Sequence, residues 1–400
     1  VLPALIFVLT YAVLALGNPP GFRVDRTGAA LIGAILMVVV GGLPLEEAYR
    51  AVDYRTIILL FGMMILIANL RLAGFFRALV RWITLHAADP VRLLVTVVFT
   101  SGILSALFVN DTICLVFTPV IVEIARARGL PPLPYLLALA TASNIGSVAT
   151  ITGNPQNMLI GSVSRIPYAE FVTALGPVAL AGLAADALLI WWIFRRDLVP
   201  RAAPVSERRP RVIHRSLLVK GLIVAVLVLT GFLAGFDPAL VSASGAAVLL
   251  MTRRVNPEKV YRLVDWDLLT LFIGLFVVVQ GIEHAGFADR LFEWLRPVGV
   301  GSIAGLSLVS AALSNLISNV PAVMLFTSVI PRLPDPTASW LVLAMSSTLA
   351  GNLTIVGSIA NLIVVEGARG LGVRISFLDY LKIGLPITML TIAFGIWWLA

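Results

Sequence analysis

The chain has 400 residues, of which 59% are hydrophobic and only 12% charged, and its mean hydropathy is +1.00. A soluble fold cannot cover that much apolar surface, so the composition indicates a polytopic helical protein set in a lipid bilayer. The formal net charge of +8 does not point to a nucleic-acid partner, because the arginines fall in short loops between apolar runs, where they set membrane orientation.

A helix needs about 20 apolar residues to cross a bilayer. The chain opens at Val1 with no Met and no basic leader, so residues 3–17 read as a first span rather than a removed signal peptide. Spans follow near 27–45, 56–76, 134–162 and 170–195. Between the third and fourth, apolar residues 93–109 and 113–125 flank the polar tip Asn110-Asp111-Thr112. Each arm is short for a full crossing and no loop separates them, which predicts a re-entrant hairpin, with one bent span as the alternative. Residues 77–89 mix charge with Leu and Trp on a helical period and read as an interfacial helix. Residues 196–216, rich in Arg and Pro, form a basic linker expected in the cytoplasm. Spans near 217–236, 238–252, 267–283, 338–366 and 377–399 follow, with a second interfacial stretch at 288–297 and a second hairpin at 300–331 around Ser318-Asn319-Val320-Pro321.

The two halves repeat. Val52-Asp53, Gly62, Ala73-Gly74-Phe75, Leu79 and Trp82 recur 212 residues later as Val264-Asp265, Gly274, Ala285-Gly286-Phe287, Leu291 and Trp294. Ser105, Leu107, Asn110, Phe117 and Thr118 recur at a shift of 209 as Ser314, Leu316, Asn319, Phe326 and Thr327. Thr150-Ile151-x-Gly153-x-x-x-Asn157 recurs at 204 as Thr354-Ile355-x-Gly357-x-x-x-Asn361. Three ungapped blocks in one order argue against chance matching. Five crossings per half is an odd number, so the second copy runs through the membrane in the opposite sense. The expected division is a first repeat at 1–195, the linker at 196–216 and a second repeat at 217–400. The predicted fold is therefore an all-α polytopic membrane protein of inverted repeats, five transmembrane helices each, with two opposed re-entrant hairpins and two broken helices. That is the architecture of secondary transporters. With the linker inside, Arg and Lys concentrate on its side of the membrane and both termini come out external.

Polar groups at mid-membrane are expensive unless they line a site. Around the first gap sit Asn110, Asp111, Thr112, Ser143, Asn144, Thr150, Thr152, Gly153, Asn154 and Asn157; around the second sit Ser318, Asn319, Thr348, Asn352, Thr354, Gly357, Ser358 and Asn361. These are the candidate substrate- and ion-binding residues, joined by the helix N-termini and backbone groups that broken helices set free. Gly153 and Gly357 fit a backbone that must approach a ligand closely. For any single residue, hydrogen bonding between helices is the competing role. Asp111, whose mate is Val320, is the only acid at a tip. It either takes part in coupling, carrying a proton or helping to hold a cation, or it caps the hairpin's second arm. Asp186, inside the fifth span, is a second candidate for a proton path. A lone Cys114 reads as packing, and His86, His214 and His284 are scattered, so no metal cluster and no cofactor are expected.

The inverted repeats, opposed hairpins and broken helices resemble the ion transporter superfamily over essentially the whole chain. The tip Phe108-Val109-Asn110-Asp111 followed by Thr118-Pro119, with Ser318-Asn319-Val320-Pro321, resembles the arsenite efflux permeases (ArsB) and related anion permeases more than the sodium-coupled dicarboxylate symporters. Those symporters carry a Ser-Asn-Thr triplet at both tips, and here neither triplet is complete. The resemblance implies an inner-membrane transporter, not an enzyme, that exports arsenite or antimonite in exchange for protons rather than Na⁺ by elevator-like alternating access. An arsenical ATPase at the cytoplasmic face and a homodimer stay open. Arsenous acid is neutral near neutral pH and presents hydroxyls, while no Lys or Arg lies near either tip to hold a dicarboxylate. The competing readings are a sodium-coupled dicarboxylate or other anion symporter on the same fold, an intramembrane hydrolase using Asp111 and Asp186, and a passive channel.

Overall fold

A computed structural model describes residues 2–16, 23–86, 89–199, 214–251 and 256–400, and every element among them is helical. Most of the expected linker (200–213) lies outside the described residues. The first half runs α1 (Leu2–Leu16), α2 (Arg26–Val39), α3 (Leu45–Ala51), α4 (Tyr54–Ala73), α5 (Phe75–His86), α6 (Pro90–Leu107), α7 (Asn110–Ala127), α8 (Leu133–Ser147), α9 (Pro155–Ser164) and α10 (Tyr168–Phe194). The second half gives each a counterpart in the same order: α11 (Arg215–Leu233), α12 (Pro238–Leu250), α13 (Pro257–Tyr261), α14 (Trp266–His284), α15 (Phe287–Leu295), α16 (Ile303–Ile317), α17 (Asn319–Phe326), α18 (Pro336–Ala350), α19 (Ile359–Gly370) and α20 (Phe377–Leu399).

Local sequence explains the boundaries. Asp53 and Asp265, mates in the repeat, cap α4 and α14 by accepting first-turn amides. Gly74 at φ 92° and Gly286 at φ 71° end those two helices in the left-handed region, which turns the chain into α5 and α15, the interfacial helices read from the sequence. Among the described residues six helices are long and apolar enough to cross a membrane unaided: α4, α6, α10, α11, α14 and α20. The expected span at 27–45 is shorter than its apolar run, because α2 stops at Val39 ahead of Gly41-Gly42 and the chain turns into α3. The expected spans at 134–162 and 338–366 are both broken, α8 from α9 by residues 148–154 and α18 from α19 by residues 351–358.

Both hairpins are re-entrant. The Tyr135 hydroxyl at the start of α8 donates to Pro90 O at the start of α6 (3.1 Å). The end of α7 joins the start of α8 through residues 128–132, so both arms enter from one face. In the second half α16 runs parallel to α18, Ser310 meeting Ser346 and Asn315 Nδ2 donating to Ala350 O (2.8 Å), while α17 returns toward the start of α18. Small residues let these backbones touch: a Cβ on Gly146 would lie 2.0 Å from Gly102 O.

Packing between the halves is reciprocal. α2 lies on α14 and α12 on α4, forming a frame; α7 lies on α19 and α17 on α9, forming a core that α10 and α20 complete. Frame and core meet where Tyr11 Oη donates to Pro321 O (3.1 Å) and Ser162 Oγ to Asp53 Oδ2 (2.7 Å). The second of these contacts is one-sided. Glu366, the mate of Ser162, pairs with Arg369 at 3.7 Å instead of engaging Asp265, the mate of Asp53.

Candidate functional site

Residues from both hairpins and both breaks converge on one buried polar network at the centre of the core. Asn144 is its hub. Its Oδ1 accepts from Asn110 Nδ2 (2.9 Å) and Ser358 Oγ (3.0 Å), and its Nδ2 donates to Asn352 Oδ1 (2.9 Å) and Asn361 Oδ1 (3.0 Å). Around its mate Thr348 the same pattern recurs, with Asn154 Nδ2 donating to Thr348 Oγ1 (3.2 Å) and Thr348 Oγ1 to Asn157 Oδ1 (3.4 Å). The pairs Asn144–Asn361 and Thr348–Asn157 exchange under the repeat, as do Ser358–Asn144 and Asn154–Thr348. A contact made twice with its partners swapped is the mark of a two-fold relation between the copies.

Several predicted site residues turn out to hold the breaks open. Asn157 Nδ2 donates to Ser147 O (3.1 Å) and Thr150 O (3.0 Å), and Asn361 Nδ2 to the equivalent Gly351 O (2.7 Å) and Thr354 O (3.0 Å). Thr150 donates to Ala106 O and its mate Thr354 to Asn315 Oδ1 (3.4 Å), tying each break to a hairpin arm. Thr152 meets the Tyr168 hydroxyl at 2.9 Å, and Ser143 meets Cys114 at 3.0 Å. The two signature glycines serve close approach of the chain to itself: a Cβ on Gly153 would lie 2.2 Å from Ser147 O, and one on Gly357 2.7 Å from Asn315 Oδ1.

What remains unspent sits at the tips. The Oδ1 atoms of Asn110 and Asn319 are buried without a partner, and so are the hydroxyls of Ser105 and Ser314 behind them. Both pairs are mates at the same shift of 209. Asp111 and Thr112 are half-buried in the first turn of α7 and make no side-chain hydrogen bond among the described residues. The alternative capping role of Asp111 is not seen, since the cap position of α7, Val109, makes no side-chain cap hydrogen bond; nor does Ser318 at the cap of α17. Uncapped N-termini leave amide donors pointing into the gap. Ser318 itself holds φ 76° and ψ 159°, a region that L-residues avoid, so the second tip stores backbone strain at the site. Asp186 is fully buried in α10, and neither of its carboxyl oxygens has a hydrogen-bond partner among the described residues.

Sequence reasoning missed Thr141, whose carbonyl accepts from Asn352 Nδ2 (3.2 Å), Gln156, which donates to Thr348 Oγ1 (3.3 Å), and Asn315. Gln156 lies inside the signature between Pro155 and Asn157, where its polarity in an apolar run was the available signal.

The family model of the CitMHS citrate transporters matches residues 11–345. The chain is 30% identical to the silicon efflux transporter LSI3 of Oryza sativa subsp. japonica, covering 99% of this chain and 96% of that protein. It is 31% identical to the uncharacterized transporter Rv2685 of Mycobacterium tuberculosis, covering 97% and 95%. A Dictyostelium discoideum protein bearing the name arsB is 26% identical over 93% of this chain and 87% of that one. The crystal structure of the Alcanivorax borkumensis YdaH transporter superposes with a TM-score of 0.61 at 16% identity, covering 99% of this chain and 97% of that chain, a likeness of fold.

Proposed function

The chain belongs to the CitMHS citrate transporter family of the ion transporter superfamily and is a multi-pass membrane transporter, and on that premise we propose that it exports a small undissociated hydroxy acid, arsenite or antimonite, in exchange for protons. The observation that carries this reading is the chemistry of the unspent atoms. The buried groups without partners at the tips are two amide oxygens, which only accept, and two serine hydroxyls, which accept as well as donate, a set that suits a ligand that donates. Arsenous acid presents three hydroxyl donors and no net charge near neutral pH. A carboxylate presents acceptors only, so it leaves the two amide oxygens unmatched. The silicon efflux transporter among the relatives fits the same class, since silicic acid is likewise a neutral polyhydroxy acid.

In this reading Asn110, Asn319, Ser318 and Thr112 bind the solute, with the network around Asn144 and Thr348 holding the two breaks in register. The carboxylates of Asp111 and Asp186 carry the coupling protons. The repeats 1–195 and 217–400 alternate access by an elevator-like movement of core against frame, with the 196–216 linker in the cytoplasm, both termini external and the protein in the inner membrane. The scheme needs neither an ATPase on the linker nor a second copy. It is tested in everted vesicles: arsenite accumulation that survives removal of Na⁺ and collapses with a protonophore is expected.

A second reading draws on a specific feature. The same orphan oxygens suit a cation, and the uncapped N-termini of α7 and α17 suit a carboxylate, as sodium-coupled symport of a dicarboxylate requires. Solute uptake that depends on Na⁺ selects it.

A further inference from the structure

A second concentration of unpartnered polar groups lies between α8, α10 and α20. The two long helices run antiparallel: Trp398 Nε1 donates to Ala174 O (2.9 Å), and a Cβ on Gly182 would lie 3.1 Å from Thr391 Cγ2. That register sets Asp186, one turn beyond Gly182, level with Thr388, one turn before Thr391. Asp186 is 0% exposed, and both its oxygens, the Tyr380 hydroxyl and the Thr388 hydroxyl lack any hydrogen bond. The Tyr380 ring lies along α20 beside Gly384, where a Cβ would stand 2.8 Å from Tyr380 Cε1 and 2.4 Å from Asn352 O. Thr141 of α8 faces Asp186. Its hydroxyl proton is donated to Leu137 O (2.9 Å), so it turns lone pairs to the carboxyl group, and its carbonyl accepts from Asn352 (3.2 Å).

We infer that Asp186, Tyr380, Thr388 and Thr141 form a closed chamber that holds one exchangeable proton together with one water molecule. The inference rests on the proton-coupled reading and gives a coupling proton a seat on α10 and α20, besides the tip carboxylate Asp111. Charge and spacing both lead there. Among the described residues no Lys, Arg or His acts on Asp186; the titratable groups around it there are Tyr380 from α20 and, next to Tyr380, Cys114 from α7. A bare buried carboxylate with no counter-ion and no hydrogen bond is costly, so at rest the group is neutral. A proton alone leaves the Tyr380 and Thr388 hydroxyls without partners. A water bridges such groups, and a buried water needs two to four polar partners, which this set supplies. A lone carboxylate, in a chain with no cluster of three metal-ligating side chains among the described residues, does not suit a divalent ion.

The link to transport is Asn352, whose Nδ2 donates to Thr141 O on the chamber side and whose Oδ1 accepts from Asn144 Nδ2 on the network side. Loss of the proton leaves a negative charge that draws the Tyr380 and Thr388 hydroxyls inward. That movement presses on the break in the second broken helix, which rests against Gly384 beside Tyr380.

The test uses purified full-length protein and has a readout independent of substrate. A pH jump followed by infrared difference spectroscopy is expected to show a protonated-carboxyl band that Asp186→Asn removes, Tyr380→Phe shifts and Asp111→Asn leaves in place. In proteoliposomes, Asp186→Asn is expected to keep arsenite–arsenite exchange and lose proton-driven export. Tyr380→Phe is expected to slow proton-driven export about tenfold, the worth of one hydrogen bond. An unchanged carboxyl difference spectrum in Asp186→Asn overturns the inference, as does proton-driven export at the wild-type rate in that variant. Should Asp186→Asn fail to fold, an unshifted band in Tyr380→Phe overturns it. If no arsenite moves in the wild type while the band behaves as stated, the substrate reading fails and the chamber stands.

Discussion

Asn144 and Asn319 look alike in the sequence and are expected to behave in opposite ways. Asn144 spends all four of its amide capacities, on Asn110, Ser358, Asn352 and Asn361. Asn144→Ala strands two donors and two acceptors in a buried site. At about 1–3 kcal/mol for each stranded group, with some re-pairing among neighbours, the expected loss is about 3–6 kcal/mol. Asn319 has a buried Oδ1 with no partner. Asn319→Ala therefore removes an unsatisfied group and is expected to change stability by less than about 1 kcal/mol while weakening solute binding. The assay is unfolding of the detergent-solubilised protein followed by tryptophan fluorescence, paired with arsenite binding on the same preparations. Equal destabilisation by the two variants, or a neutral Asn144→Ala, would refute the reasoning that hydrogen-bond saturation separates scaffold from ligand residues.

Three further outcomes follow from the same geometry. Asp111→Asn is expected to abolish proton-coupled export with little change in unfolding, because the carboxylate has no partner to lose; export at normal rates removes it from coupling. Gly153→Ala is expected to abolish folded yield, since its Cβ meets Ser147 O at 2.2 Å, and a monodisperse, active variant contradicts the close approach. Cysteines placed at Asp53 and Ser162 are expected to cross-link in the conformation seen here, where those side chains are 2.7 Å apart. Cysteines at the mates Asp265 and Glu366 should cross-link only in the opposite-facing state, so simultaneous cross-linking of both pairs in one molecule argues against alternation.

The site was only partly legible in advance. The repeated Asn110/Asn319 and Asn157/Asn361 pairs stood out because an amide in a hydrocarbon-length segment has no reason to be there unless something bonds it. Their roles did not. Asn157 and Asn361 are consumed by carbonyls seven and ten residues upstream, at Thr150 and Ser147 and at Thr354 and Gly351, and Gly153 makes room for Ser147 rather than for a ligand. Spacing along a chain reports which atoms are polar, and it is silent on which of them are already satisfied.

The amino-acid order alone determined the all-helical membrane class, the two copies and the places where helices break, because these depend on local quantities: apolar run length, caps, and glycines that allow positive φ. Only the tertiary structure decided that Asn144 is saturated and Asn319 is not, and that Asp186 is buried with neither carboxyl oxygen hydrogen-bonded. Those facts depend on partners 34 to 217 residues away, brought together by packing two oppositely running copies against each other, and no local propensity encodes them.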